Sequence, residues 1–233
     1  MYKVIILILD SDNLNCYDKC RNVWKSYMNS NPEILCLFIK FKPNINKYQL
    51  IDNTLYIEGT EIFKGNYILI KSILAFKYCY EHYDFSHILR TNLSTFWNFN
   101  NMLKWLSARQ KTYITGWQVR CPTLDGSSQI NFISGTGIFI PKQLLPMIFN
   151  HSNFEYPDDD VEISNFYTKN GIKIRDARRG YADYVFKFED EKSIEDINKR
   201  FQEIENKFIV CYRVKNKFLR DKLDNYVYDK LLK

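Results

Sequence analysis

Six consecutive apolar residues, Val4-Ile5-Ile6-Leu7-Ile8-Leu9, stop abruptly at Asp10-Ser11-Asp12-Asn13. An unbroken, largely β-branched run with polar punctuation marks a parallel strand buried on both faces; a strand with one wet face would alternate. Cys16, Cys20, Val23, Trp24 and Tyr27 then recur at helical spacing, which predicts a helix over 16–28, broken by Asn29-Ser30-Asn31-Pro32. Ile34 to Phe41 is a second apolar run. Strand, helix and strand within ~40 residues make a βαβ unit. Its crossover commits the chain to an α/β fold whose mostly parallel sheet is covered by helices. In such folds ligands gather beyond the carboxyl ends of strands, so Asp10 and Ser11 are candidates for contacts to a nucleotide base or ribose. A polar turn is an equally compatible local reading.

The bulk of the chain agrees with one folded enzyme-sized domain. It has 233 residues, 45% of them hydrophobic and 26% charged, enough for a substantial core. The net charge of +6 is dispersed among acids rather than gathered in a block. That suits a phosphate-bearing small ligand, and no nucleic-acid-binding signature accompanies it, so no nucleic-acid partner is expected. The six cysteines form no CxxC pair and do not cluster with the three histidines, which points to reduced thiols rather than a disulfide framework or zinc site. The first apolar run is too short for a signal peptide or a membrane span, and no later stretch approaches twenty apolar residues. A soluble, cytoplasmic protein without a membrane anchor is expected; the sequence does not speak to oligomeric state.

Polar groups interrupt apolar segments at three further places. Ile88-Leu89 gives way to Arg90-Thr91-Asn92-Leu93-Ser94, and a helix is expected from Phe96 to Arg109 with a Thr or Ser cap. Phe132 to Ile140 reads as a strand interrupted by Ser134-Gly135-Thr136-Gly137; glycine there weakens a strand and is tolerated at a bulge or where backbone approaches a ligand or another segment. Asp158-Asp159-Asp160 opens a helix that runs to Lys169 and ends at Asn170-Gly171. Capping that helix calls for one acid or two, and crowded acids raise one another's pKa, as suits a general base. Lys71 lies in a helix expected over 66–80, where a lysine among apolar neighbours ordinarily snorkels to the surface. Strands are also expected at Thr54–Ile57, Tyr113–Trp117, Ile172–Ala177 and Phe208–Tyr212, and helices starting at Ser193 and Phe218.

The order of these features resembles a GT-A-fold glycosyltransferase, closest to the β-1,3-galactosyltransferase and Fringe group and related enzymes of large DNA viruses. Arg21-Asn22-Val23-Trp24 is similar to that group's early R-x-x-W element, and Glu58 with Tyr67 and Lys71 to its acidic residue and Y…K helix. Ile88 to Phe96 falls where the group carries its DxD strand end, and Tyr113-Ile114-Thr115-Gly116 where it carries Y-x-G. Phe132 to Ile138 resembles (Y/F)-x-S-G-x-G, and Asp159-Asp160-Val161-Glu162-Ile163 resembles E/D-D-V-x-I. The series spans about residues 3 to 172. It implies a Rossmann-like, mixed and mostly parallel sheet in a single domain over 1–233, with 190–233 a C-terminal extension packed on it.

The resemblance also implies inverting transfer of a sugar from a nucleotide-sugar donor, UDP-linked, to a glycan acceptor hydroxyl. Asp160 matches the family's base and Asp159 is its neighbour. Asp10, Ser11, Lys71, Arg90, Thr91, Asn92 and Ser94 are the implied nucleotide-sugar residues, and Trp117, Gly135, Thr136 and Asp158 the implied sugar or acceptor residues. Asn92-Leu93-Ser94 departs from the family's DxD, whose carboxylates hold Mn²⁺ or Mg²⁺ against the diphosphate. Cys211-Tyr212-Arg213-Val214-Lys215 stands where many such enzymes carry a late histidine ligand. Metal dependence is therefore open, with Arg213, Lys215 and Arg90 as candidate cations for a metal-free diphosphate site. The alternative from another class is a catalytically degenerate module that binds a nucleotide sugar or glycan.

Overall fold

The protein is described from a computed structural model, over residues 1–10, 16–62, 66–108, 112–178, 184–216, 223 and 226–232. In chain order the first elements are β1 (Tyr2–Leu9), α1 (Cys16–Tyr27), β2 (Ile34–Lys42), β3 (Tyr48–Ile51), β4 (Thr54–Glu58), α2 (Tyr67–His82), β5 (Phe85–Asn92), β6 (Thr95–Trp97) and α3 (Phe99–Ser107). Then follow β7 (Ile114–Pro122), β8 (Gln129–Pro141), a 3-10 turn (Lys142–Leu144), α4 (Leu145–Ile148), α5 (Asp159–Lys169), β9 (Ile174–Asp176), β10 (Val185–Phe188), α6 (Ile194–Ile204), β11 (Cys211–Val214) and a π-helical turn (Tyr228–Leu232). They group into two units interleaved in sequence: Met1–Ser11, Pro32–Asn92 and Gln110–Ala177 form the first, Asp12–Asn31, Leu93–Arg109 and Arg178–Lys233 the second.

The first unit carries an eight-stranded sheet in the order β3-β4-β2-β1-β5-β8-β7-β9. β4, β2, β1, β5, β7 and β9 run one way, and β3 and β8 run against them, so the sheet is mixed and mostly parallel. Val4 to Ile8 are all fully buried, as an unbroken apolar run requires. Ile5, Leu7, Leu37, Ile39, Leu55 and Ile57 share one core with Leu69, Ile73 and Phe76 of α2, Leu145 and Ile148 of α4, and Ile163 and Tyr167 of α5. Each such side chain contributes about 1.5–3 kcal/mol when taken fully out of water. α2 lies on β1, β2 and β4, and α5 on β8 and β9. Leu9 pairs with Asn92, so β1 and β5 end level and bring Asp10 and Asn92 to one edge of the sheet.

The expected irregularity at Ser134–Gly137 is present. Gly116 pairs with Ile138, but Gln118 pairs with Ile133, so Trp117 alone faces the four residues Ser134 to Gly137. Both facing strands need glycine there. A Cβ on Gly116 would collide with the carbonyl oxygen of Gly137 and the side chain of Ile133, neither of which can give way cheaply.

The second unit has a three-stranded sheet, β10-β11-β6, with α1, α3 and α6. Aromatic rings build its core. Trp24 stacks on Tyr27 at 5.2 Å and donates from Nε1 to the Leu93 carbonyl at 3.0 Å, while Tyr184 meets both Trp97 and Trp105. Here the expected helix start at Phe96 is corrected. The chain leaves β5, turns at Leu93-Ser94 and forms β6 first, because Thr95 and Phe96 pair with Arg213 and Tyr212. The helix starts only at Phe99, capped by Asn98, whose side chain accepts from Asn101 N at 3.0 Å. The expected start at Ser193 holds, with Ser193 and Asp196 forming a capping box. Of the expected helix from Phe218 to Leu232, residues 218–222 and 224–225 lie outside the described residues.

Candidate active site

Three segments remote in sequence meet at the carboxyl end of β5: Arg90 to Asn92, Gly135 and Thr136 of the irregular β8, and the first turn of α5. Arg90 is only 2% exposed. Its Nη2 lies 2.6 and 2.5 Å from the two carboxylate oxygens of Asp159, and its Nη1 donates to the Gly135 carbonyl at 2.9 Å and to Asn92 Oδ1 at 3.1 Å. Thr91 Oγ1 donates to the Thr136 carbonyl at 2.6 Å. Gly135 N in turn donates to Asp160 Oδ2 at 2.6 Å, and Val161 N to Asp160 Oδ1 at 3.0 Å. A Cβ on Gly135 would lie 2.6 Å from Arg90 Nη1 and 3.1 Å from Asp160 Oδ2. The SGTG irregularity thus lets backbone reach both a guanidinium and a carboxylate.

The acidic triplet divides into three environments. Asp158 is exposed and occupies the N-cap position without a capping hydrogen bond from its side chain, so capping does not account for it. Asp159 is buried against Arg90; burial pushes its carboxyl up, the Arg90 guanidinium pulls it down, and the neighbouring Asp160 pushes it up again. Asp160 is half-buried and holds two backbone N–H groups. Glu162, 1% exposed, accepts from the backbone N–H of Glu155 and Tyr156 and sits 2.6 Å from His151 Nε2, which ties down the loop leading to the triplet. Trp117 is half-buried opposite Ser134–Gly137.

A second polar cluster lies where β1 and β2 end. Asp10 is 2% exposed, and Lys40 Nζ stands 3.9 Å from its carboxylate. Lys71, 3% exposed, donates to the Asp10 carbonyl at 3.0 Å and forms an ion pair with Glu61. The snorkelling reading of Lys71 is therefore overturned: its ammonium faces inward because a carboxylate and a carbonyl wait there. The acid it meets is Glu61, three residues beyond the Glu58 of the resembling motif, and the other Glu61 oxygen accepts from Phe41 N at 3.0 Å. Glu58 is exposed at the end of β4. Glu61 and Glu162 carried no sequence signal, since each gains its role only from partners brought in by folding.

Ser11 lies outside the described residues. Ser94, Arg213 and Lys215 belong to the second unit. There Val214 N donates to the Ser94 carbonyl at 2.9 Å, Arg213 Nη1 donates to Thr95 Oγ1 at 2.8 Å, and Lys215 Nζ is 4.0 Å from Glu189. The donor set of Asn92-Leu93-Ser94 does not fit a divalent cation. Its side-chain oxygens are neutral, and that of Asn92 already accepts from Arg90 Nη1 at 3.1 Å.

The architecture is a GT-A-like glycosyltransferase fold. A glycosyltransferase involved in glycosylation of the major capsid of PBCV-1 aligns over 97% of this chain and 100% of its own, with a TM-score of 0.53 and 11% identity. The galactosyltransferase LgtC, solved with donor and acceptor sugar analogues, aligns over 98% of this chain and 96% of its own at TM-score 0.47 and 10% identity. The inositol-1-phosphate CTP transferase of T. maritima aligns over 98% and 94% at TM-score 0.44 and 8% identity. A scan against protein-family models finds no match, and a search of the curated proteins finds none either. Among the described residues, no helix is long and apolar enough to cross a membrane.

Proposed function

We propose that this protein is an inverting glycosyltransferase that moves a sugar from a UDP-sugar to an acceptor hydroxyl of a glycan. The observation that carries the reading is Asp160. It is a half-buried carboxylate on the first turn of a helix, held by Gly135 at the strand-end edge of a GT-A-like sheet. In this reading Asp160 takes the proton of the acceptor hydroxyl as that oxygen attacks the anomeric carbon, and the nucleoside diphosphate leaves from the opposite face. Asp10, Lys71 and Thr91, all buried, frame the nucleotide side of the site from within; Asn92 serves the donor's ribose or phosphates, and Trp117, Gly135, Thr136 and Asp158 the sugar or acceptor. The misfit between Asn92-Leu93-Ser94 and a divalent ion supports a diphosphate neutralised by cations, and Arg213 and Lys215, standing where the family carries a late histidine ligand, are the candidates.

Thermal-shift screening against nucleotide sugars and free nucleotides tests the donor first, because a ligand that binds only the native state raises the melting temperature. A shift with a UDP-sugar, followed by release of UDP when a glycan acceptor is added, is the expected result. Asp160→Asn should keep the donor-induced shift and lose transfer by roughly two to four orders of magnitude. Full transfer in that variant would remove Asp160 from the role of base. Donor binding with no transfer to any acceptor would favour a nucleotide-sugar-binding module instead.

A further inference from the structure

We propose that Arg90 is a positioning residue for Asp160: through Asp159 on one side and Gly135 on the other, it clamps the acidic turn of α5 against the irregular strand β8. The inference rests on the reading of Asp160 as the base. The contacts form a closed circuit. The guanidinium holds Asp159 by Nη2 and the Gly135 carbonyl by Nη1; the Gly135 N–H holds Asp160 Oδ2; and Asp159 and Asp160 are consecutive on the first turn of α5. A glycine fixed at both its N–H and its carbonyl has little freedom left. Arginine suits the place because its planar fork spans two acceptors that a single ammonium would have to share.

The circuit also gives the two carboxylates different work. Asp159 is 7% exposed and meets the guanidinium, so its charge is answered inside the protein. Asp160 is half-buried and meets backbone N–H groups, not a cation, in this circuit, so its carboxylate is held in place without an ion pair. The same contacts argue against Arg90 as the group that meets a diphosphate. It is 2% exposed, and both terminal nitrogens are already engaged by Asp159, Gly135 and Asn92. Asp159 carries no catalytic step in this scheme; it is the anchor through which Arg90 acts.

The test is steady-state transfer by Arg90→Gln, Arg90→Lys and Asp159→Asn beside Asp160→Asn, with UDP alone as the binding probe in thermal shift. Misplacing a base by about an ångström costs about a hundredfold in rate, so Arg90→Gln and Asp159→Asn should each lower kcat by about that factor. The donor KM and the UDP-induced shift should stay within about twofold of the native protein. Arg90→Lys should recover part of the loss, since an ammonium reaches one of the two acceptors. A raised donor KM with kcat kept, or loss of the UDP-induced shift, would assign Arg90 to the diphosphate and overturn the clamp. Should Arg90→Gln fail to fold, Arg90→Lys and Asp159→Asn decide between the same outcomes. The two readings fail separately: full activity in Asp160→Asn sinks the base whatever Arg90 does. An inactive Asp160→Asn beside full kcat in the Arg90 and Asp159 variants sinks the clamp alone.

Discussion

Lys71 shows how one buried cation ties several segments together. Its ammonium joins α2 to the Asp10 carbonyl at the end of β1 and to Glu61 in the segment after β4. Lys71→Met should therefore strand a carbonyl and a carboxylate, at a cost of about 1–3 kcal/mol in chemical denaturation. A snorkelling lysine would stay within about 0.5 kcal/mol of native. Burial lowers the Lys71 pKa from the ordinary 10.5, against the opposing pull of Glu61. With the folded value depressed, the unfolded chain binds more protons between the two values, so this group makes stability rise with pH across that window, up to about 10.5. Lys71→Met should flatten that alkaline rise, and an unchanged slope in the variant would refute the assignment. In the sequence Lys71 was legible as a residue of interest through its Y…K spacing alone. Glu61 was not, because nothing local distinguishes an acid that will meet a buried ammonium from one that will meet water.

At the scale of elements, the segment after β5 separates local signal from tertiary effect. The spacing Phe96, Phe99, Met102, Leu103, Leu106 is helical, yet Phe96 lies in a strand. Backbone pairing with β11, over a hundred residues downstream, outbids the helix there. The helix instead begins where Asn98 can accept from Asn101 N. Asn98→Ala should cost about 1 kcal/mol of stability, read by thermal or urea unfolding, with kcat unchanged. No effect on stability would mean that solvent satisfies those N–H groups as well as the side chain does. The SGTG segment is the converse case. Two glycines and two small hydroxyl residues inside an apolar strand announced an irregularity from sequence alone, and four residues of β8 do stand opposite one of β7.

For the whole molecule, the neutral donor set at the end of β5 sets the expectation for metal. With Arg90 turned toward Asn92 and no acid in Asn92-Leu93-Ser94, transfer should survive excess EDTA. Complete loss of turnover, restored by Mn²⁺, would overturn that expectation and place a metal in the mechanism. The sequence by itself determined the α/β class, because continuous apolar runs, helical spacing and turn residues are short-range properties that each segment carries alone. It also marked Arg90, Gly135 and Asp160 as places where the pattern breaks. Only the tertiary structure decided that these three close one hydrogen-bonded circuit, that Asp159 rather than Asp160 meets the guanidinium, and that Glu61 rather than Glu58 meets Lys71. A hydrogen bond or ion pair depends on ångström distances between residues 10 to 69 positions apart in the chain, and only the packing of the sheet and its helices fixes those distances.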